Sequence, residues 1–502
     1  QTGYTPIEQV LTNRGIEIEK IPDYINVSEA ELYDHKPLNN IEQAAIMVLK
    51  HFINQDKIFV QVDSDCDGYT SAAALINYLY SLFPSTVQNH VRYNLHTSKH
   101  HGIVLEEIPA NTKLVIVPDA SSNEKEIHKQ LVEQGIDVLV LDHHHTEDAS
   151  DDLAVIVNNQ LCDYPNKFLS GVGIVYKFCQ IIDQYTHTSY ADNQLDLVAL
   201  GLIADMMDMR DLETRRLILK GLAQVKNPFF TYMIQKNSFS MKDTVNPFTV
   251  AFYVAPYVNS MTRVGTDEEK LLLFKSMLVY EAFQLVPSTK RGCGGQEELL
   301  VEQSVRTCAN VKNRQERVKT AALDAINSQI ERDNLLSDKI LIIKLLNPVD
   351  TNLTGLLANQ LMAKHQKPVL ILNHREHIDE EAEVTYTWEG SARAFNISAI
   401  QDWRKFISEC PYSLYAEGHA NAFGVGFAEN DVDLFINYMN TEFSDIEFNK
   451  YYAIDFLFEV TDDFDSIILE LASYKEVWGQ GVTEPLIAIK DIPITGGRLT
   501  LM

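Results

Sequence analysis

Asp63-Ser64-Asp65-Cys66-Asp67-Gly68 follows directly on the apolar run Ile58-Phe59-Val60-Gln61-Val62. Three carboxylates at the mouth of a buried strand repel one another and lose hydration, so the arrangement calls for cations among them. The same string opens a calcium-binding helix-loop-helix loop, but that loop needs a bidentate glutamate at its twelfth position, which here is Ala74. The run before it is β-branched and aromatic rather than an amphipathic helix, and Thr70 to Ile76 after it reads as a helix start. A plain turn of solvated aspartates is the other alternative. A catalytic metal loop is the reading that the rest of the chain favours.

The same grammar recurs downstream. Leu114-Val115-Ile116-Val117 runs into Pro118-Asp119, and Val138-Leu139-Val140-Leu141 runs into Asp142-His143-His144-His145. A single aspartate after a strand is more often a helix cap than a ligand. Several together point elsewhere, because open α/β sheets bind ligands beyond the carboxyl ends of parallel strands. Asp65, Asp67, Asp119 and His143 are therefore expected to meet, joined by Asp205 at the end of the apolar stretch Leu200 to Ala204, with Asp63 either an additional ligand or a support behind the ligands. Carboxylates with imidazole, and no cysteine in a ligand position, favour Mn2+ or Mg2+ over structural zinc, and the histidine tilts the choice to Mn2+.

These residues resemble the DHH phosphoesterases, and within them the RecJ-like single-strand-specific exonucleases. Leu11 to Ile16 looks like the family's opening element, Leu169 to Lys177 like its small-residue loop and helix, and Ala204-Asp205 like its last metal motif. Pro256 to Arg263 resembles the segment that brings Asn259 and Arg263 to substrate. Gly390-Ser391-Ala392-Arg393 and Gly418-His419-Ala420-Asn421 resemble the signature of a second, substrate-holding domain. The sequence departs from the family pattern at Glu417, where a glycine is usual, and in the Tyr93 to Gly102 loop, which carries Lys99, His100 and His101 where an arginine is usual.

Phosphodiester cleavage needs charge stabilisation on attacking and non-bridging oxygens, which two divalent ions about 3.5 to 4 Å apart can supply. Asp63, Asp65, Asp67, Asp119, His143 and Asp205 are the expected ligands. Asp142 is better placed to orient an imidazole, and His144 and Arg263 to face the scissile phosphate. Asn259, Ser391, Arg393, His419 and the amides around Gly418 are expected to hold substrate. The resemblance implies 5′-to-3′ release of mononucleotides from single-stranded DNA. Two alternatives stand beside it: a DHH phosphodiesterase for short oligonucleotides or cyclic dinucleotides, and a non-catalytic replication scaffold of the same fold.

The elements that must position these groups follow from periodicity. The fold expected is α/β: a parallel-sheet DHH catalytic domain with its N-terminal element (1–288), a connector helix (289–335), a DHHA1-like second α/β domain (336–445) and a partial OB-like segment (446–502). At 502 residues, 45% hydrophobic and 22% charged, the chain is too long for one core. Six cysteines without a C-x-x-C pair suit a reducing compartment, and no stretch reads as a membrane span or signal peptide, so a cytoplasmic location is expected. The net charge of −28 opposes polyanion binding at long range, so contact with DNA must be local and cation-assisted. Arg306, Lys312, Arg314, Arg317 and Lys319, with only Glu316 among them, form a basic segment or a solvated helix face. A single-strand-binding or replication and repair protein is the expected protein partner, and a membrane is not.

Overall fold

β-Branched and leucine-rich runs form β1 (Lys57–Val62), β2 (Val91–Leu95), β3 (Thr112–Pro118), β4 (Asp137–Asp142) and β5 (Val155–Asn158). They pair in parallel in the order β2-β1-β3-β4-β5. Alternate side chains divide between two cores. Ile58, Val60, Val62, Ile116, Leu139 and Leu141 face one, and Phe59, Val115, Val117, Val138 and Val140 face the other. Burial on both faces is why these strands read as continuous apolar runs rather than alternating ones. From β1 the chain goes to β2 on one side, then returns past β1 to β3 on the other. The connections thus leave in opposite directions above the carboxyl ends of β1 and β3, which opens a crevice there.

This is a computed structural model, and it describes residues 3–28, 32–96, 101–146, 153–345, 347–378, 384–395, 397, 400–448 and 453–490. The chain divides into two compact units, 1–312 with 454–502, and 313–453. In the first, the larger core is filled by helices Cys66–Leu82, Gly171–Thr186 and Leu195–Ala204, and the last of these is apolar on every side beyond Asp196 in its first turn. Such a helix can only be buried. A short antiparallel pair, β6 (Leu285–Pro287) and β7 (Glu297–Leu299), precedes helix Leu300–Arg332, within which the boundary between units falls.

The second unit contains β8 (Leu341–Lys344), β9 (Val369–Ile378), β10 (Val384–Arg393), β11 (Ser413–His419) and β12 (Ala422–Ala428), in the order β11-β12-β10-β9-β8. Only β8 and β9 are parallel, so this sheet is mixed. Helix Thr351–His365 packs on one side and helix Asp431–Glu442 on the other.

The segment from residue 454 belongs to the first unit, against the N-terminal helices. Arg14 forms a two-pronged ion pair with Asp455 at 2.8 Å and donates to the Thr483 and Glu484 carbonyls. Arg215 lies over the Tyr24 ring and donates to the Glu476 and Val477 carbonyls. Among the described residues this segment, where a partial OB-like unit is expected, holds one parallel pair, β13 (Phe456–Phe458) with β14 (Ile487–Ile489), and helix Asp465–Ser473. Leu471, Val477, Trp478 and Val482 pack around Tyr24, while Leu457, Val460 and Leu469 stay exposed. No helix among the described residues is long and apolar enough to cross a membrane.

Candidate metal centre

Each expected ligand leaves its element at the crevice. Asp63 follows β1, Asp119 follows β3, Asp142 ends β4 with His143 after it, and Asp205 caps the end of helix Leu195–Ala204. Asp65 is the N-cap of helix Cys66–Leu82, its carboxylate accepting from the Gly68 amide at 3.0 Å, so the cap and a candidate ligand are one residue. Ligand atoms of Asp63, Asp65 and Asp119 lie within 4.8 Å of one another, as do those of Asp67, His143 and Asp205, and those of Asp119, His143 and His144. His143 Nε2 is 3.2 Å from Asp119 Oδ1 and 3.5 Å from Asp205 Oδ2.

Three oxygens decide the chemistry of this cluster. Asp67 Oδ2, Asp119 Oδ1 and Asp205 Oδ2 are buried and accept no hydrogen bond among the described residues. A buried carboxylate oxygen left without a donor costs several kcal/mol unless a cation or a proton meets it. Burial, reinforced by the neighbouring aspartates, pushes Asp205 up to about 8 and Asp119 well above the carboxylate range. Burial and the charge of Asp65 push Asp67 up to about 6, against a hydrogen bond with Asp119 and others from Ser170 Oγ at 2.8 Å and the Val172 amide at 3.4 Å. Oxygen and imidazole donors fit Mn2+ or Mg2+, and two separate donor groups fit two ions.

Asp142 is occupied otherwise. Its Oδ1 accepts from the His143 amide at 2.7 Å and faces His144 Nδ1 at 2.8 Å, and its Oδ2 accepts from the Ser122 amide at 3.1 Å. Burial opposes its charge, but His144 outweighs burial and holds the carboxyl well below the usual range. Burial likewise opposes a charged His144, but Asp142 wins and raises the ring to about 9. His144 is half-exposed at the rim.

Backbone shape fixes these positions. Asp119 has φ 73°, a left-handed conformation that costs a residue with a Cβ about 1 kcal/mol or more. Its amide donates to the Leu141 carbonyl at 2.8 Å, tying the strained residue to β4. Gly171 leaves room for Asp119 and Gly201 for Asp67, since a Cβ at either position would overlap the carboxylate. Gly201→Ala would also press on Thr70 Oγ1 and a Val172 methyl. Alanine gains up to about 1 kcal/mol of helix propensity, but overpacking costs about 1–3 kcal/mol. The variant is expected to unfold at lower urea and to bind Mn2+ more weakly, measured by urea titration and calorimetry.

Arg263 lies at the end of helix Ala255–Val264, exposed and within the field of Asp65. Asn259 sits one turn earlier, half-buried. In the second unit, the register puts Arg393, Ala422 and His419 in one cross-strand row and Ser391, Gly424 and Glu417 in the next. Ser391 Oγ is 2.8 Å from Thr354 Oγ1, Gly355 makes way for the Arg393 guanidinium, and Gly418 takes φ 129°. The basic segment is partly neutralised: Arg306 pairs with Glu298 at 2.6 Å and Lys319 pairs with Glu316. Lys99 and His100 lie outside the described residues, whereas His101 Nδ1 contacts Asp63 Oδ2 at 2.8 Å. The sequence reading gave this histidine no partner, and it gave Ser170 and Gly201, which lie within stretches it singled out, no contact with Asp67. Their contacts are long-range and carry no periodic signal.

The family model for the "DHH family, N-terminal domain" matches residues 57–202, the stretch that builds most of this centre. YorK of Bacillus subtilis (strain 168), named as a candidate SPβ prophage-derived single-strand DNA-specific exonuclease, is 37% identical over 98% of this chain and 84% of its own length. This chain belongs to the DHH family. The single-stranded-DNA-specific exonuclease RecJ of B. subtilis (strain 168) is 26% identical over 86% of this chain and 51% of the relative. The fold matches RecJ of Thermus thermophilus, solved in complex with Mn2+, with a TM-score of 0.71 at 19% identity, over 96% of this chain and 65% of that one. The present chain thus spans about half to two thirds of these RecJ proteins.

Proposed function

We propose that this DHH protein is a metal-dependent exonuclease specific for single-stranded DNA, and that it uses two divalent ions, Mn2+ or Mg2+. The observation that carries the reading is the set of three buried carboxylate oxygens without an aligned hydrogen-bond donor, gathered around His143 at the sheet's crevice. Relatives named as single-strand DNA-specific exonucleases support the substrate. Bound ions would supply Lewis acidity and charge neutralisation at the scissile phosphate.

The chain's own residues do the rest. Asp63, Asp65, Asp67, Asp119, His143 and Asp205 hold the ions. Asp142 keeps the His144 ring charged and fixes its orientation, so that His144 Nε2 can donate to a phosphate oxygen, with Arg263 as a second cationic donor. Asn259 is a further substrate contact. Ser391, Arg393, His419 and the Gly418 backbone of the second unit form a phosphate-holding surface, since a glycine at positive φ lets amides approach an anion closely. Cleavage from the 5′ end to mononucleotides, a role in repair or recombination, a single-strand-binding partner and a cytoplasmic setting belong to the same reading.

End-labelled single-stranded DNA, duplex DNA and RNA, each in a length series with Mn2+, Mg2+ or chelator, test it. Metal-dependent release of 5′-labelled mononucleotides from long single-stranded DNA is expected. Cleavage confined to di- and trinucleotides, or none with either metal, would refute it.

A further inference from the structure

His101 and Asp63 meet at the rim of the metal centre, and the segment that carries His101 is pinned from below. Gly102 takes φ 83° and its backbone lies against the Glu124 carboxylate so closely that a Cβ would overlap it. The Ile103 amide donates to Glu124 Oε2 at 2.9 Å, and the Val104 amide to Gln61 Oε1 at 3.4 Å. Ile103 itself is buried in the core on that face of the sheet.

Glu124 is held in turn. The Ser121 hydroxyl donates to the same Oε2, and His128 Nε2 lies 3.1 Å from Ser121 Oγ. With the Ser121 proton committed to Glu124, His128 serves as donor to Ser121. His128 is completely buried, and Ser121 has φ 84°, two residues beyond the strained Asp119. A chain of contacts therefore runs from the buried His128 through Ser121, Glu124 and the Ile103 amide to the turn that aims His101 at Asp63.

We propose that Glu124 is a positioning residue for the metal centre: it fixes the His101–Gly102–Ile103 turn so that the His101 imidazole orients the Asp63 carboxylate toward the ions. Glu124 touches neither ion nor substrate. It acts through His101, and the inference rests on the metal-centre reading above. Groups that orient a ligand typically change metal affinity by about 10- to 100-fold when removed.

The test is a double-mutant cycle read by Mn2+ calorimetry on the full-length chain, with thermal unfolding alongside. Glu124→Ala and His101→Ala are each expected to weaken Mn2+ binding about tenfold, and the double variant no further than either alone. Glu124→Gln, which keeps one oxygen for both Ser121 and Ile103, should restore affinity to within about twofold of the parent, while Glu124→Asp, shorter by one methylene, should not. Should Glu124→Ala fail to fold, Glu124→Asp takes its place in the cycle. Full additivity with His101→Ala, or a lowered melting temperature with unchanged Mn2+ affinity, would overturn the proposal. Absence of Mn2+ binding by the parent protein would instead refute the metal centre itself.

Discussion

The Asp67→Asn protein, prepared free of metal, should melt above the parent near pH 7.5 and yet lose manganese-dependent cleavage by about three orders of magnitude or more. The two changes have one cause. Asp67 is 1% exposed, its Oδ2 has no fixed donor, and the neighbour that eases its charge is Asp119, a second carboxyl that must keep a proton to do so. An asparagine oxygen can still accept from Ser170 Oγ and the Val172 amide, while its NH2 replaces the donorless oxygen and can donate to Asp119. Burial raises Asp67 to about 6 against an unfolded value near 3.9. Relieving its charge should therefore return on the order of 2 kcal/mol in the metal-free state. The same substitution removes the anionic atom that a cation needs. His143→Ala should abolish cleavage as well, but without the gain in stability, because it leaves Asp119 and Asp205 facing each other without the ring between them. Circular dichroism near the parent spectrum would exclude misfolding. Retained turnover in Asp67→Asn, or a lower metal-free melting temperature, would remove Asp67 from the ligand set.

The convergence of ligands was legible because each is placed by local rules. A β-branched run ending in Asp63 or Asp119 reports both a strand and which end of it faces the crevice. The apolar helix ending at Asp205 is equally plain, since a helix without a polar face must lie in the core. What escaped the sequence depends on contacts between distant segments. Nothing near residue 454 announces that Asp455 will meet Arg14, or that Arg215 will reach the Glu476 carbonyl; short apolar runs there look like barrel strands until their partners are known. His101 is of the same kind. Its neighbours in sequence say nothing about Asp63, and only the order β2-β1-β3 brings the chain after β2 over the end of β1. The second sheet was read as an α/β unit from β8, the following helix and β9. Its antiparallel part hinges on the β9–β10 pairing, which short-range patterning does not reveal.

Metal-free protein should lose stability as pH rises from about 4 to about 9, and Mn2+ should stabilise it more at each step. In the folded state Asp67 and Asp205 are raised to about 6 and about 8, whereas in the unfolded chain both titrate near 3.9. Between those limits the folded protein keeps protons that the unfolded chain has released. Stability from this source is fully present below about 4 and is lost as pH passes first 6 and then 8. His144 adds to the trend: raised to about 9 from its usual 6.5, it contributes fully below 6.5 and ceases to contribute as pH rises through 9. Asp142, held low, contributes above about 3.9 and is lost only below that, outside this window. Mn2+ competes with the protons on Asp67 and Asp205, so its stabilising effect must grow over the range in which they leave. Urea unfolding at pH 5, 6.5 and 8, with chelator and with saturating Mn2+, measures both curves. The gap between them should widen with pH in the parent and widen less in Asp67→Asn, which lacks one of the titrating groups. A gap that stays constant from pH 5 to 8 would mean that the buried aspartates and the cation do not share a site.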